Sequence, residues 1–182
     1  MSLLARFFFG ALPLTLAYAL LTIKVGVAET LFVVLSVIYA EVAIKVDEWS
    51  TLSSLGMKIE TPELFMSNES RYHRIRIFLL IAAVTALFFT NTVPLYLGAA
   101  GLAAAWFTTP WIGRHLAFTH VRRVGREMVE ELNNLKVSDP TEYARQVADD
   151  GSASHLAEWE KEVHITNQEL SERLKKLRYM GM

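Results

Sequence analysis

The chain has 182 residues and no cysteine; 52% of its residues are hydrophobic, 20% are charged, and its formal net charge is −1. These totals resemble those of an ordinary soluble domain, but the charges are unevenly distributed. The first 113 residues carry 7 basic and 7 acidic side chains, whereas the remaining 69 carry 11 and 12. The long apolar runs left in the first part exclude a disordered chain, a disulfide-stapled secreted module and a simple soluble domain.

Four apolar segments in the first part reach or approach the length needed to cross a membrane, which is about 20 residues for a helix. They are residues 3–23, 30–46, 75–92 and 93–112. The last two form one run that is too long for a single crossing. Because Pro94 disfavours helical backbone angles at Val93, the chain is predicted to fold back there. The sequence therefore predicts two helical hairpins.

The first segment also fits a cleaved secretory signal, since Ala17 and Ala19 suit a cleavage site. The chain stays apolar after Ala19, however, and no polar start of a mature protein follows. We therefore favour a retained membrane helix.

Basic residues predict the orientation of these helices, because short loops rich in Lys and Arg stay in the cytoplasm. The turn after the first segment has Lys24 alone, whereas the connection 47–74 has three basic residues. Four arginines follow the fourth segment: Arg114, Arg122, Arg123 and Arg126. They are predicted to anchor the topology or to bind lipid headgroups, and no nucleic acid is expected as a partner. Both termini are predicted to be cytoplasmic, in a bacterial inner (plasma) membrane.

The connection 47–74 is too long for a bare turn and is predicted to contain helices. Trp49, Leu52 and Leu55 recur every third residue and stop at Gly56, which predicts a short amphipathic helix on the headgroups. Residues 61–63, Thr-Pro-Glu, predict the start of another helix, which leads into the third crossing.

The apolar pattern after residue 113 is that of surface helices, with breaks predicted at 138–140 and at Gly151. A last helix is predicted from about residue 154 to 180. Its seam consists of Leu156, Trp159, Val163, Thr166, Leu170, Arg173 and Leu177. This spacing is a weak coiled-coil signal, and packing on neighbouring helices or on another subunit is the favoured alternative.

Glu41 and Lys45 are the candidate site residues within the second crossing. A carboxylate there costs several kcal/mol unless it is paired, hydrated or protonated. Lys45 lies one turn away and can neutralise it as an intramembrane ion pair. Alternatively, several copies of the second helix would bring Glu41 into an acidic ring that admits cations.

The fourth crossing begins with small residues that allow another helix to approach closely. Gly98, Gly101 and Ala105 define this predicted helix-packing face, which either serves the bundle itself or joins copies of the chain.

No pattern indicates catalytic chemistry. The five histidines lack the spacing of a shared metal site, and no cysteine supplies a thiolate. No glycine-rich phosphate loop, dinucleotide fingerprint or nucleophile elbow is present. The sequence predicts no metal, no cofactor and no catalytic residue, and hence a protein that is not an enzyme.

Together these features predict an all-α integral membrane protein, with four transmembrane helices in residues 1–113 and a cytoplasmic helical extension in residues 114–182. The predicted function is that of a non-catalytic subunit of a larger membrane assembly for transport, secretion or energy transduction, with the extension docking partners. The alternative is a homo-oligomeric cation channel lined by the second helix. The expected partners are the lipid bilayer, other copies of the chain and other membrane subunits.

Overall fold

A computed structural model describes residues 26–57, 60–91 and 93–179 of the protein. These residues form α-helices and one 3₁₀ turn, without strands, which confirms the predicted all-α class. The helices are α1 (Val27–Ser54), α2 (Glu63–Phe88), α3 (Leu95–Ser138), α4 (Pro140–Ala148), α5 (Leu156–His164) and α6 (Asn167–Tyr179), and the 3₁₀ turn is Ser152–His155. The predicted first crossing, residues 3–23, lies outside the described residues.

Helix α1 contains the predicted second crossing. It has 28 residues, a length of about 42 Å, and among the described helices it alone is both long and apolar enough to cross a membrane. Only 22% of its most apolar window is buried within the chain. The basic residues in the first half of α2 and the polar residues of α3 dilute the apolar character of those helices. The four-crossing topology therefore stays a prediction.

The end of α1 differs from the predicted boundary at residue 46. One uninterrupted helix runs on to Ser54, so the separate headgroup helix predicted at Trp49–Leu55 is wrong. No glycine or proline lies between Val46 and Ser54 to interrupt the helical hydrogen bonds. The predicted stop at Gly56 is confirmed: this residue has a φ of +83°, a conformation that glycine adopts without strain.

Helix α2 confirms the helix predicted to start at residues 61–63 and to lead into the third apolar segment. It begins at Glu63, after Pro62, and it is kinked at Asn68, where φ is −136° and ψ is 28°. The predicted fold-back near Pro94 is also confirmed, because α2 ends at Phe88 and α3 begins at Leu95.

Helix α3 has 44 residues and contains Pro110 in its interior. The predicted end of the fourth crossing at residue 112 is therefore not a helix end, since the helix continues without a break to Ser138. Asp139 then caps α4 by accepting a hydrogen bond from the Glu142 backbone N–H at 3.0 Å, which confirms the predicted break at 138–140.

The last predicted helix, from about 154 to 180, is wrong as a single element. The chain forms the 3₁₀ turn and then α5 and α6, which are separated at Ile165 and Thr166. Thr166 and Glu169 form a reciprocal capping box at the start of α6: the Glu169 N–H donates to Thr166 Oγ1 (3.2 Å), and the Thr166 N–H donates to Glu169 Oε2 (2.8 Å). The predicted seven-residue seam is therefore interrupted.

The chain divides into two compact units. For the residues that the structure describes, unit 1 lies within 26–50 and Thr61–Arg114, and unit 2 lies within Thr51–Glu60 and 115–179. Each unit has its own hydrophobic core among the described residues. The core of unit 1 is formed by Phe32, Ala83, Ala86, Leu87 and Leu102. The core of unit 2 is formed by Leu52, Ala117, Phe118, Val121, Leu170 and Leu174.

Candidate functional site

Glu41 lies in the apolar helix α1, and one oxygen of its carboxylate, Oε1, is buried without a hydrogen-bond partner among the described residues. The ammonium of Lys45 donates to Glu48 instead, one turn further along the helix. Within this chain, therefore, Lys45 and Glu41 do not form the ion pair that the sequence allowed. A buried carboxylate oxygen is stabilised by a proton, water, a bound cation or a hydrogen-bond donor, and among the described residues no donor reaches Oε1 of Glu41.

The buried face of α1 passes beside Glu41. Tyr39 and Ala43 are fully buried and Val46 nearly so, at the three- and four-residue spacing of one helix face. Glu41 is two residues from Tyr39, which is about 200° around the helix, so it lies on the opposite side of α1 and is only partly buried. A residue on that side can contact a second molecule packed beside α1.

A buried ion pair that the sequence reasoning missed connects α1 to α2. Arg76 Nη1 donates to Asp47 Oδ1 at 2.8 Å, and the two side chains are only 10% and 17% exposed. The Arg76 guanidinium also lies 5.2 Å from the ring centroid of Trp106 on α3. Arg76 thus contacts both α1 and α3. The available signal was a pair of opposite charges at the ends of two neighbouring apolar segments.

Two aromatic side chains near this ion pair pack within unit 1. Trp49 and Tyr72 both pack on Phe65, with ring centroids 5.4 Å and 5.5 Å from it. Phe65 is fully buried. These contacts join α1 to the first half of α2, beside the segment that the sequence placed at the membrane surface.

The small-residue face of α3 has two different environments. A Cβ atom added to Gly98 would lie 2.3 Å from the Leu87 side chain, so Gly98 allows α2 and α3 to pack closely. A Cβ atom added to Gly101 would meet nothing within 4 Å. Gly101 and Ala105 instead line an apolar groove of about 430 Å³ between α1 and α3.

Gly113 is a close-packing residue that the sequence reasoning missed. A Cβ atom on it would lie 2.7 Å from the Ile44 carbonyl oxygen and 2.9 Å from the Glu48 backbone nitrogen. The signal was present, because small residues recur every four positions at Gly101, Ala105, Thr109 and Gly113.

The four predicted anchor arginines are used differently. Arg114, Arg123 and Arg126 are exposed, as residues that bind lipid headgroups must be. Arg122 is half-buried and donates to the Ile165 carbonyl at 3.2 Å and to Asn167 Oδ1 at 2.8 Å. Its main contact therefore fixes the turn between α5 and α6 within unit 2.

No three His, Asp or Glu side chains are grouped to hold a metal ion within residues 26–57, 60–91 and 93–179. Comparison with protein-family models, with curated protein sequences and with solved structures gives no significant match to this chain.

Proposed function

We propose that this protein is a non-catalytic, multi-pass membrane subunit of a larger transport, secretion or energy-transducing assembly. In this proposal four helices cross the membrane, both termini are cytoplasmic, and the helical extension docks partner proteins. The observation that carries the proposal is the large apolar surface that unit 1 exposes.

That surface includes bulky aromatic side chains on α2 and α3. Phe78, Phe107 and Trp111 are 69%, 77% and 71% exposed. Soluble proteins rarely expose many side chains of this kind together, because contact of apolar surface with water is unfavourable. Lipid tails or other membrane subunits cover such side chains and remove that contact. The apolar and mostly unburied helix α1 supports the same environment.

The groove lined by Gly101 and Ala105 supports assembly with other subunits. Membrane helices associate through faces of small residues, because these let two backbones approach closely. A helix from another subunit or another copy would cover this groove.

Single-cysteine labelling tests the topology, and the cysteine-free chain makes it unambiguous. Ser70→Cys, Asn91→Cys and Asn133→Cys place thiols at exposed positions of α2, of the turn before α3 and of the extension. An impermeant maleimide should label Asn91→Cys from outside the cell, and Ser70→Cys and Asn133→Cys only after lysis. Labelling of all three from one side, or recovery of the protein without detergent, would overturn the proposal.

Native mass spectrometry after extraction in a mild detergent tests the assembly. We expect complexes that contain this chain together with other polypeptides. Variants with reversed charges on the exposed face of the extension, such as Glu130→Lys with Glu131→Lys, should lose those polypeptides and keep the membrane location. A closed ring of this chain alone would contradict the subunit proposal.

The buried Oε1 of Glu41, which has no hydrogen-bond partner among the described residues, supports the second candidate function, a homo-oligomeric cation channel lined by α1. Flux through reconstituted protein should then favour cations, and Glu41→Gln should reduce it several-fold. Glu63→Gln, at the exposed start of α2, is the matched control and should leave the flux unchanged. Flux that Glu41→Gln does not alter would remove α1 as the pore helix.

A further inference from the structure

Helices α2 and α3 line a second apolar groove in unit 1, with a volume of about 400 Å³. Its walls include two small residues, Ala99 and Ala103, and two bulky ones, Phe88 and Phe107. All four are exposed, and the two phenylalanines are exposed to 67% and 77%. The groove is therefore an open surface, which a molecule in the membrane must cover.

The two helices run antiparallel along this groove, and their contacts define its two ends. A Cβ atom on Gly98 would touch Leu87 near one end, and Arg76 contacts the ring of Trp106 at the other. On α3 the lining spans residues 95–107, which is about 18 Å. One leaflet of a bilayer contributes about 15 Å of hydrocarbon, so the groove is long enough to hold one acyl chain.

Two further arginines lie beyond the Trp106 end of the groove. Arg74 comes two residues before Arg76 on α2, about 3 Å further along the helix axis. Arg114 comes seven residues after Phe107 on α3, which is two turns further along the same face. Long side chains lean toward the N-terminus of their own helix, so Arg74 leans away from the groove and Arg114 leans toward it. We therefore expect the two guanidinium groups at similar depths.

These two arginines leave a surplus of positive charge at this end of the groove. Asp47 pairs with Arg76 at 2.8 Å and also experiences the charge of Arg114. Glu69 accepts a hydrogen bond from a serine of α1 at 2.9 Å. Arg74 and Arg114 are both exposed, and among the described residues neither forms a hydrogen bond or a close ion pair. The two carboxylates therefore leave positive charge that an anion can neutralise.

We propose that this groove holds an acyl chain of an anionic phospholipid of the cytoplasmic leaflet, with the lipid phosphate between Arg74 and Arg114. Arginine forms strong, charge-assisted hydrogen bonds with phosphate oxygens. Basic pockets between membrane helices on the cytoplasmic side suit anionic headgroups. Trp111 lies between Phe107 and Arg114 and is 71% exposed, at the depth where indole rings are favoured.

The charge of the site favours an anionic lipid over a zwitterionic one. Both present the same phosphate, but the quaternary ammonium of phosphatidylcholine brings a positive charge beside the two arginines. A helix of another subunit could fill the apolar groove, but it would leave the arginines without a counter-charge unless it supplied an acid. The lipid satisfies both parts of the site, and this inference rests on the membrane function proposed above.

Native mass spectrometry of the full chain released from lipid nanodiscs tests the proposal. The nanodiscs contain equal amounts of phosphatidylglycerol and phosphatidylcholine with identical acyl chains, so the two lipids differ only in the headgroup. We expect one retained lipid per chain, with phosphatidylglycerol preferred about tenfold. Equal retention of the two lipids, or no retained lipid, would overturn the proposal.

Paired arginine variants separate the site from the overall charge of the protein. Arg74→Gln with Arg114→Gln should reduce the preference to less than about twofold. Arg123→Gln with Arg126→Gln removes the same charge from exposed positions of unit 2 and should keep the preference. Equal losses in the two double variants would contradict a phosphate site at the end of this groove.

A groove-filling variant tests the acyl chain separately from the headgroup. Ala103→Phe occupies the groove while both arginines stay in place, so the retained lipid should be lost. Ala104→Phe places the same ring at an exposed position outside the lining and should retain the lipid. Retention by both variants would show that the groove holds no acyl chain.

The cysteine labelling described above distinguishes failure of the lipid site from failure of the proposed function. If labelling shows the predicted topology and the lipid preference is absent, only the lipid site is wrong. If all three cysteines are labelled from one side, the membrane function and the lipid site are both wrong.

Discussion

Gly113 controls how closely α3 approaches α1 within unit 1. Its missing side chain leaves room for the Ile44 carbonyl and the Glu48 backbone nitrogen, which a Cβ atom would approach to 2.7 Å and 2.9 Å. Backbone atoms cannot rotate away as a side chain can, so Gly113→Ala should lower the free energy of unfolding by about 1–3 kcal/mol. Gly101→Ala is the matched control: its Cβ meets open space, and alanine favours the helix by about 1 kcal/mol. Denaturant titration in detergent micelles measures both, and equal effects would contradict the close contact.

Arg76 is a second residue that contributes to the stability of unit 1. Arg76→Met removes the guanidinium from the buried Asp47 carboxylate and should cost about 3 kcal/mol of stability, because a buried charge loses its counter-ion. Arg123→Met is the control, since the Arg123–Glu127 pair is 53% and 67% exposed and 3.7 Å apart. It should cost less than about 1 kcal/mol. The same titration distinguishes the two, and comparable losses would show that the burial of the Asp47–Arg76 pair is unimportant.

At the scale of residues, the sequence could predict which side chains are unusual in their surroundings, but not which side chains they contact. It indicated that Glu41 is unusual in an apolar helix, and that Lys45 could neutralise a neighbouring carboxylate. Glu41 and Glu48 are four and three residues from Lys45, and both distances suit a helical ion pair. Side-chain rotamers and burial determine which of the two carboxylates Lys45 contacts, and the residue spacing gives no information on either. For the same reason the sequence alone does not identify Asp47 and Trp106 as the contacts of Arg76.

At the scale of helices, a change in polarity predicts a helix end correctly only where a turn or capping residue lies beside it. Pro94, Gly56 and the residues 138–140 supply such signals, and the helices end beside them. No glycine or proline lies beside Val46 and Asp47, and α1 continues into polar sequence. Pro110 and Gly113 lie near the end of the fourth apolar segment, but α3 continues through both. The backbone hydrogen bonds of a helix form within the helix itself, whether lipid or water surrounds it. The predicted ends of the membrane crossings therefore differ from the helix ends in this chain.

The separation of α5 from α6 was predictable from a signal that the seam pattern obscured. Thr166 and Glu169 have the spacing of a capping box, in which each side chain satisfies a backbone N–H of the other residue. The apolar seam favoured a continuous helix, but it describes only which residues share a face. Here the local hydrogen bonds decide where the helix starts.

The capping box predicts a pH dependence for the start of α6. Hydrogen bonds from the backbone N–H and hydroxyl of Thr166 lower the pKa of Glu169 below its ordinary value of 4.5. Because the folded pKa is the lower one, the cap stabilises α6 above the unfolded pKa and is lost as the pH falls through the folded pKa. Amide protection factors at the start of α6 should therefore fall below about pH 4.

Two variants check this interpretation of the cap. Glu169→Gln keeps a hydrogen-bond acceptor but cannot titrate, so its protection factors should lose the pH dependence. Glu172→Gln, at an exposed position of the same helix, should keep the profile of the unchanged chain. A profile that persists in Glu169→Gln would assign the dependence to another group.

At the scale of the whole molecule, the chain separates an apolar unit with exposed aromatic side chains from a charged unit with its own core. The uneven charge distribution predicted this contrast, because long uncharged runs and the spacing of surface helices differ in polarity. It could not predict that Thr51–Glu60 belongs to unit 2, since that depends on Leu52 packing with Ala117 and Leu170. Contacts between distant parts of a sequence are not contained in its local pattern.

Separate cores predict separate unfolding. Leu170 is fully buried in the core of unit 2, so Leu170→Ala should cost about 2–5 kcal/mol. Hydrogen exchange of the full chain should then lose protection in Thr51–Glu60 and after His115, while α2 keeps its protection. Leu116→Ala, at a position 37% exposed, should change little. If α2 loses protection to the same extent as α6, the two cores form a single cooperative unit.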